Sequence, residues 1–195
     1  SVMQFIYSKK QALSSKLCQN LIDKFEQSPY KKQGSVRSQG TVAPLPEYKQ
    51  STDITFNPSF EKDKYWNPEL NNLIHILYKG LDEYYSKFSD SLTRIDEVRL
   101  DTHFNIQRYL PQEAYHSWHC ERGGIETGHR ALVWMFYLNN VTDRGETQFN
   151  FQDHKEIPEE GKLLIWPSDW THLHRGITSP TQTKYIVTGW FSHFN

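Results

Sequence analysis

The chain has 195 residues, enough for one domain with a sizeable core, and its formal net charge is −1. That balance argues against duplex nucleic acid as a partner, which would call for a clear basic excess. With a mean hydropathy of −0.75 and no apolar run near the ~18 residues that span a bilayer, it also argues against a membrane protein. The two cysteines, Cys18 and Cys120, make no disulfide framework. Ser1 to Lys10 lacks the charged-then-apolar layout of a signal peptide, so the expected compartment is reducing and cytoplasmic.

In chain order, Val2 to Tyr7 alternates loosely and is read as a short strand. Leu13 to Phe25 is predicted to be helical: Leu17, Cys18, Leu21, Ile22 and Phe25 form one stripe, with Ser14 or Ser15 as cap. Ser28 to Gln50 is polar and rich in Pro, Gly and Lys. It is expected to be a long loop, either solvated or serving as a mobile lid over a substrate. Asn67-Pro68 opens a second helix, with Asn as cap and Pro at the first helical position. Leu70, Leu73, Ile74, Leu77, Tyr78, Leu81, Tyr85 and Phe88 then mark its apolar face.

After Asp90 the pattern becomes β-type. Runs at Val98–Tyr109, Ala114–Cys120, Ala131–Leu138, Gln148–Phe151, Lys162–Trp166 and Lys184–Phe191 are separated by turns such as 142–145 and 158–161. Strands so spaced, without intervening helices, predict an antiparallel barrel or jelly roll. The fold class expected is α+β: one domain over 1–195, with a helical N-terminal part (1–90) packed on a β-core (91–195).

The chemistry concentrates in His119-Cys120-Glu121, followed 53 residues after the glutamate by His174 and ten residues later by Lys184. On a strand His119 and Glu121 point to one face, with Cys120 on the other. Two imidazoles and a carboxylate occupy one face of an octahedral iron and leave the positions an oxygenase needs. Lys184 then supplies a fixed cation for the far end of a dicarboxylate cosubstrate. A catalytic zinc or manganese site of cupin or hydrolase type also accepts His₂Glu, but has no need of that lysine. A jelly-roll binding module with aromatic contacts is the non-enzymatic alternative. His172 competes with His174 for the third ligand position, since two residues apart on a strand face the same way.

The ordered set Tyr109-Leu-Pro, His119-Cys-Glu121, Val133-Trp-Met-Phe-Tyr137-Leu-Asn139, Gly145-Glu-Thr147, Gly161-Lys-Leu-Leu-Ile-Trp-Pro167, His174, Lys184 and Gly189-Trp-Phe191 resembles the iron(II)- and 2-oxoglutarate-dependent dioxygenases. The likeness is to their prolyl 4-hydroxylase-like branch, in particular its small microbial and phage-type members, and covers about Leu100 to Phe191. It implies a double-stranded β-helix, or jelly roll, with N-terminal packing helices. It implies His119, Glu121 and His174 as iron ligands, and Lys184 as partner of the 2-oxoglutarate C5 carboxylate, ten residues after His174 and not twelve after His172. Tyr137 corresponds to a tyrosine reaching the same carboxylate, Tyr109 to one bordering the cosubstrate or metal, and Trp190 to an aromatic beside the active site. The cofactors implied are Fe(II), 2-oxoglutarate and O₂, with ascorbate as a further candidate. The implied reaction hydroxylates a C–H bond of a prolyl or other residue in a peptide or protein, with small metabolites as alternative substrates, and releases succinate and CO₂. Most of the family has Asp where this chain has Glu121, one methylene longer. Neither the substrate nor the oligomeric state is readable from these motifs.

Overall fold

The computed structural model describes residues 4–194. Its frame is a seven-stranded antiparallel sheet built from β1 (Tyr7–Lys9), β2 (Lys32–Gln33), β5 (Thr52–Phe56), β6 (Arg99–Tyr109), β7 (Arg130–Tyr137), β10 (Leu163–Pro167) and β12 (Lys184–Ser192). The order is β1-β10-β7-β12-β6-β5-β2. A smaller sheet, β11-β8-β9, joins β8 (Thr147–Phe149), β9 (His154–Glu156) and β11 (His174–Gly176), and a hairpin pairs β3 (Val36–Ser38) with β4 (Thr41–Ala43). The predicted α+β jelly roll is the observed architecture.

The strands alternate apolar-in and polar-out only on one side, because both faces of the large sheet are covered. Leu132, Trp134 and Phe136 of β7, Leu163 and Ile165 of β10, and Val187 and Phe191 of β12 join one core with helix α1 (Ser15–Gln27) and helix α2 (Asn67–Lys87). Val133, Met135 and Tyr137, Leu164 and Trp166, and Ile186 face the other way and pack with Phe149 of the small sheet. One-residue alternation thus sorts side chains between a helix-facing core and the space between the sheets. Gly189 is required by this packing: a Cβ there would lie 2.7 Å from Trp134 and 2.8 Å from Phe104.

The helices follow their sequence patterns. In α1 the Ser14 hydroxyl accepts from the Leu17 amide, and Leu17, Cys18, Leu21 and Phe25 are buried. In α2 the stripe Leu70, Leu73, Leu77 and Leu81 is buried; the helix begins one residue early, so Trp66 takes the cap position and Asn67 lies inside the first turn.

Several expectations change. Ala114–Cys120 is not a regular strand but an extended segment held by two isolated bridges, Lys49 to Tyr115 and His119 to His174. The Ser28–Gln50 stretch contains β2 and the β3–β4 hairpin, and β5 follows it unanticipated. β1 starts at Tyr7, at the end of the run predicted from Val2, whose residues 2 and 3 lie outside the described part. The boundary near residue 90 is one of sequence character, not of space: β1, β2 and β5 belong to the same sheet as the C-terminal strands.

Candidate metal centre and cosubstrate pocket

Between the sheets lies a cavity of about 660 Å³, walled by the inner faces of β6, β7 and β12 and by β11. His119 and Glu121 reach it from the extended segment, His174 from the start of β11. The backbones of His119 and His174 exchange two hydrogen bonds of 3.0 Å, while the Glu121 and Arg122 amides both donate to the Ser168 carbonyl. These bonds place three donor atoms within 4.8 Å of one another: His119 Nε2 lies 3.3 Å and His174 Nε2 3.1 Å from Glu121 Oε2.

Each histidine's other nitrogen, Nδ1, is 2.9 Å from a backbone carbonyl two residues earlier, that of Ser117 for His119 and that of His172 for His174. A carbonyl only accepts, so the ring protons belong on Nδ1 and both Nε2 atoms turn lone pairs to the centre. Glu121 Oε2 is buried there without a hydrogen-bond donor. Burial alone would raise the Glu121 pKa; the rings of His119 and His174, where they carry a second proton, outweigh it and hold it well below the usual carboxylate range. Burial and His174 push His119 down. Neutral imidazoles facing a carboxylate are a donor set that lacks only its cation, and it fits a divalent first-row metal. His119 is further fixed by Tyr115, whose ring stacks on it at 3.6 Å.

His172 is not part of this cluster. It sits in a single 3-10 turn, not on a strand, and its Nε2 is 2.8 Å from the Gln4 carbonyl. Its service to the site is its own carbonyl, which orients His174. Cys120 also departs from expectation: because the segment is not a regular strand, it forms part of the cavity wall. Its sulfur is not among the converging donors and lies 3.8 Å from the Arg122 carbonyl.

Lys184, at the start of β12, is buried in the same cavity, 5.3 Å over the Tyr109 ring, its partner across the β6 pairing. Nζ donates to the Gly145 carbonyl at 2.9 Å. Gly145 has φ +84° in the predicted 142–145 turn, a conformation that suits glycine. Burial lowers the Lys184 pKa to about 8, with Glu146 pulling weakly the other way. Tyr109 lines the cavity and donates to Gln107 at 2.7 Å. Tyr137 is fully buried behind Thr147, to whose hydroxyl it is hydrogen bonded, and Thr147 is the residue that faces the cavity. Trp190 donates its indole N–H to Glu121 Oε1 at 3.3 Å.

Thr147 enters the sequence reading only within the Gly145-Glu-Thr147 motif, Lys49 only within the polar 28–50 stretch and Tyr115 only within the Ala114–Cys120 run; Arg130 has no place in it, and all four are on the cavity wall. Thr147 was legible in principle, two residues before Phe149 on an inward face. Arg130 and Lys49 carry no local signal. The β3–β4 hairpin lines the cavity through Val36, Arg37, Gln39, Gly40 and Val42, and Arg37, in the middle of β3, is ion-paired with Glu126.

Residues 104–192 match the family model described as the 2OG-Fe(II) oxygenase superfamily. Solved structures share the fold across nearly the whole chain. A viral collagen prolyl hydroxylase from Paramecium bursaria Chlorella virus-1, as its 2-oxoglutarate complex, is 18% identical with a TM-score of 0.71, covering 98% of this chain and 97% of that one. A prolyl-4-hydroxylase of Pseudomonas putida is 16% identical at 0.68, covering 98% and 94%. A prolyl hydroxylase from Trichoplax adhaerens, in complex with a hypoxia inducible factor peptide fragment, is 14% identical at 0.73, covering 97% and 84%. No curated protein sequence matches the chain. The matched stretch is similar to a 2-oxoglutarate- and Fe(II)-dependent oxygenase domain, chemistry whose cofactors are Fe(II), 2-oxoglutarate and O₂, and it contains His119, Glu121 and His174. The fold of the chain is the one seen in the prolyl 4-hydroxylases. Among the described residues no helix is long and apolar enough to cross a membrane.

Proposed function

We propose that this protein hydroxylates a C–H bond of a prolyl or other residue in a peptide or protein, converting 2-oxoglutarate and O₂ to succinate and CO₂. The observation that carries this reading is the presence in one cavity of the three converging donors and, apart from them, a buried lysine with no carboxylate partner within ion-pair distance among the described residues. His119, Glu121 and His174 would hold the metal. Bound there, Fe(II) supplies the redox chemistry that couples decarboxylation of the 2-oxo acid to oxidation of the substrate.

The chain's own contribution is placement and dryness. Lys184 binds the distal carboxylate of the cosubstrate, a charge-assisted bond of roughly 1.5–3 kcal/mol that selects a diacid over a monoacid. Thr147 offers a hydroxyl to the same end of the pocket, oriented by Tyr137 behind it. Val133, Met135 and Ile186 form apolar wall that keeps water from this ion pair. Tyr109 closes the pocket beside Lys184, and Trp190 holds the metal carboxylate.

A peptide substrate is supported by the β3–β4 hairpin lining the cavity and by the structural relatives, one a collagen prolyl hydroxylase and another bound to a peptide fragment. The test is anaerobic titration of Fe(II) and 2-oxoglutarate into the apo-protein, followed by succinate release with proline-rich peptides. A visible charge-transfer band that needs both components and is lost in Glu121→Ala and Lys184→Ala is expected. No band, with tight zinc binding in its place, would favour a hydrolytic site. Deleting 34–46 should abolish peptide turnover and spare uncoupled 2-oxoglutarate decarboxylation; equal loss of both would remove the hairpin from substrate binding.

A further inference from the structure

Glu121 is gripped at both ends by one pair of side chains. Arg130 Nη1 donates to the Glu121 backbone carbonyl at 3.1 Å, and its guanidinium lies 3.7 Å over the Trp190 ring. The Trp190 indole N–H in turn donates to Glu121 Oε1 at 3.3 Å. A cation on an indole face withdraws electron density from the ring and makes its N–H a better donor. The outcome is an asymmetric carboxylate: Oε1 is held by Trp190, and only Oε2 faces His119 and His174.

That asymmetry has a consequence for a glutamate. Carboxylates bind metals through one oxygen or two, and nothing in the side chain itself fixes which. Two imidazoles and one carboxylate oxygen take one face of the octahedron and leave the opposite face open. A 2-oxo acid chelate and O₂ fill that open face, so a second glutamate oxygen would take a position one of them needs.

We propose that Arg130 and Trp190 are positioning residues that restrict Glu121 to one metal-facing oxygen and so keep the cosubstrate's coordination positions free. The inference rests on the Fe(II) and 2-oxoglutarate reading above.

The test compares Trp190→Phe, which removes the N–H and keeps the ring, in two backgrounds: the native chain and Glu121→Asp. Two quantities are read without turnover: the affinity for Fe(II) alone, and the affinity of the Fe(II)-loaded protein for 2-oxoglutarate from the anaerobic band. In the native background Fe(II) affinity should hold or rise while 2-oxoglutarate affinity falls by about tenfold or more, the scale of effects from residues behind metal ligands. In the Glu121→Asp background the same change should cost less than about threefold, because a side chain one methylene shorter draws its carboxylate away from the Trp190 N–H, and there is then no hold to lose. Arg130→Met, which leaves Trp190 and its N–H in place, should show a smaller loss of the same kind. Unchanged 2-oxoglutarate affinity in Trp190→Phe would overturn the inference. So would parallel loss of Fe(II) and 2-oxoglutarate, which would mark a merely structural role, or an equal loss in both backgrounds, which would mark direct contact with the cosubstrate. If the unsubstituted protein itself gives no band, the functional reading has failed and this inference with it. A band in that protein with no effect of Trp190→Phe removes this inference alone.

Discussion

The two faces of the large sheet are made by the same strands and contrast in chemistry. Toward α1 and α2, β7 and β12 present Leu132, Trp134, Phe136, Val187 and Phe191, all buried in a continuous apolar core. Toward the small sheet, β12 presents Lys184, Thr188 and Trp190, and β6 presents Asn105, Gln107 and Tyr109. The helix-facing side is packed for stability. The inner side carries the buried ammonium of Lys184 and faces the three metal-binding groups of the 114–121 segment and β11, polar groups whose removal from water costs stability. One fold therefore holds a stable layer and a strained layer within a single strand's thickness.

The contrast can be broken most severely from the inner side. Replacing Glu121 or His174 with Ala should abolish metal binding and turnover while changing the melting temperature of the metal-free protein little, because each removes one polar group from the pocket together with a single hydrogen bond, Trp190 to Glu121 Oε1 or His174 Nδ1 to the His172 carbonyl. Calorimetric titration with Fe(II) or Mn(II) and a thermal melt would decide it. From the outer side, Phe136→Ala should cost about 3–5 kcal/mol through the cavity it leaves. Urea denaturation should show a lower midpoint, and any protein still folded should bind metal normally.

Lys184 sharpens the comparison. A folded pKa of about 8 against an ordinary 10.5 means that the folded protein binds fewer protons than the unfolded chain between those values. Its penalty on stability is complete below about pH 8 and is relieved as pH rises toward 10.5. Lys184→Met should thus raise the melting temperature of the metal-free protein at neutral pH while abolishing 2-oxoglutarate binding. In the native chain 2-oxoglutarate affinity should be flat in this group below about pH 8 and fall by up to about tenfold per unit above it, as the ammonium deprotonates. An affinity constant to pH 10 would show that Lys184 does not carry the cosubstrate's charge. The smallest effect expected is at the rim. Arg37→Ala removes an exposed ion pair with Glu126 and should change stability by less than ~1 kcal/mol, readable as an unshifted melt.

The site was legible where residue types and their spacing carry the chemistry. His119-x-Glu121, His174 and Lys184 could be named because their types and spacing carry the chemistry, and Tyr109, Lys184 and Trp190 fall on inward positions of regular strands. The two main helices and the C-terminal strands were readable from their apolar periods. What stayed hidden depended on neighbours distant in the chain. β5 reads as polar and becomes a strand because β6 offers it a partner. Tyr137 could not be separated from Thr147 as the residue facing the cavity, since that depends on which strand of the small sheet lies over β7. His172 and His174 would face the same way on a strand, and only the spacing to Lys184 in the family resemblance favours His174; a 3-10 turn sends the His172 ring toward Gln4 and leaves the His174 ring toward Glu121. The clamp of Arg130 and Trp190 on Glu121 had no local trace at all. Alternation along a strand is a property of the local backbone and survives in any context, so it can be read from the chain alone. The pairing of side chains from separate strands exists only once burial has brought those strands together, and no residue's own identity records it.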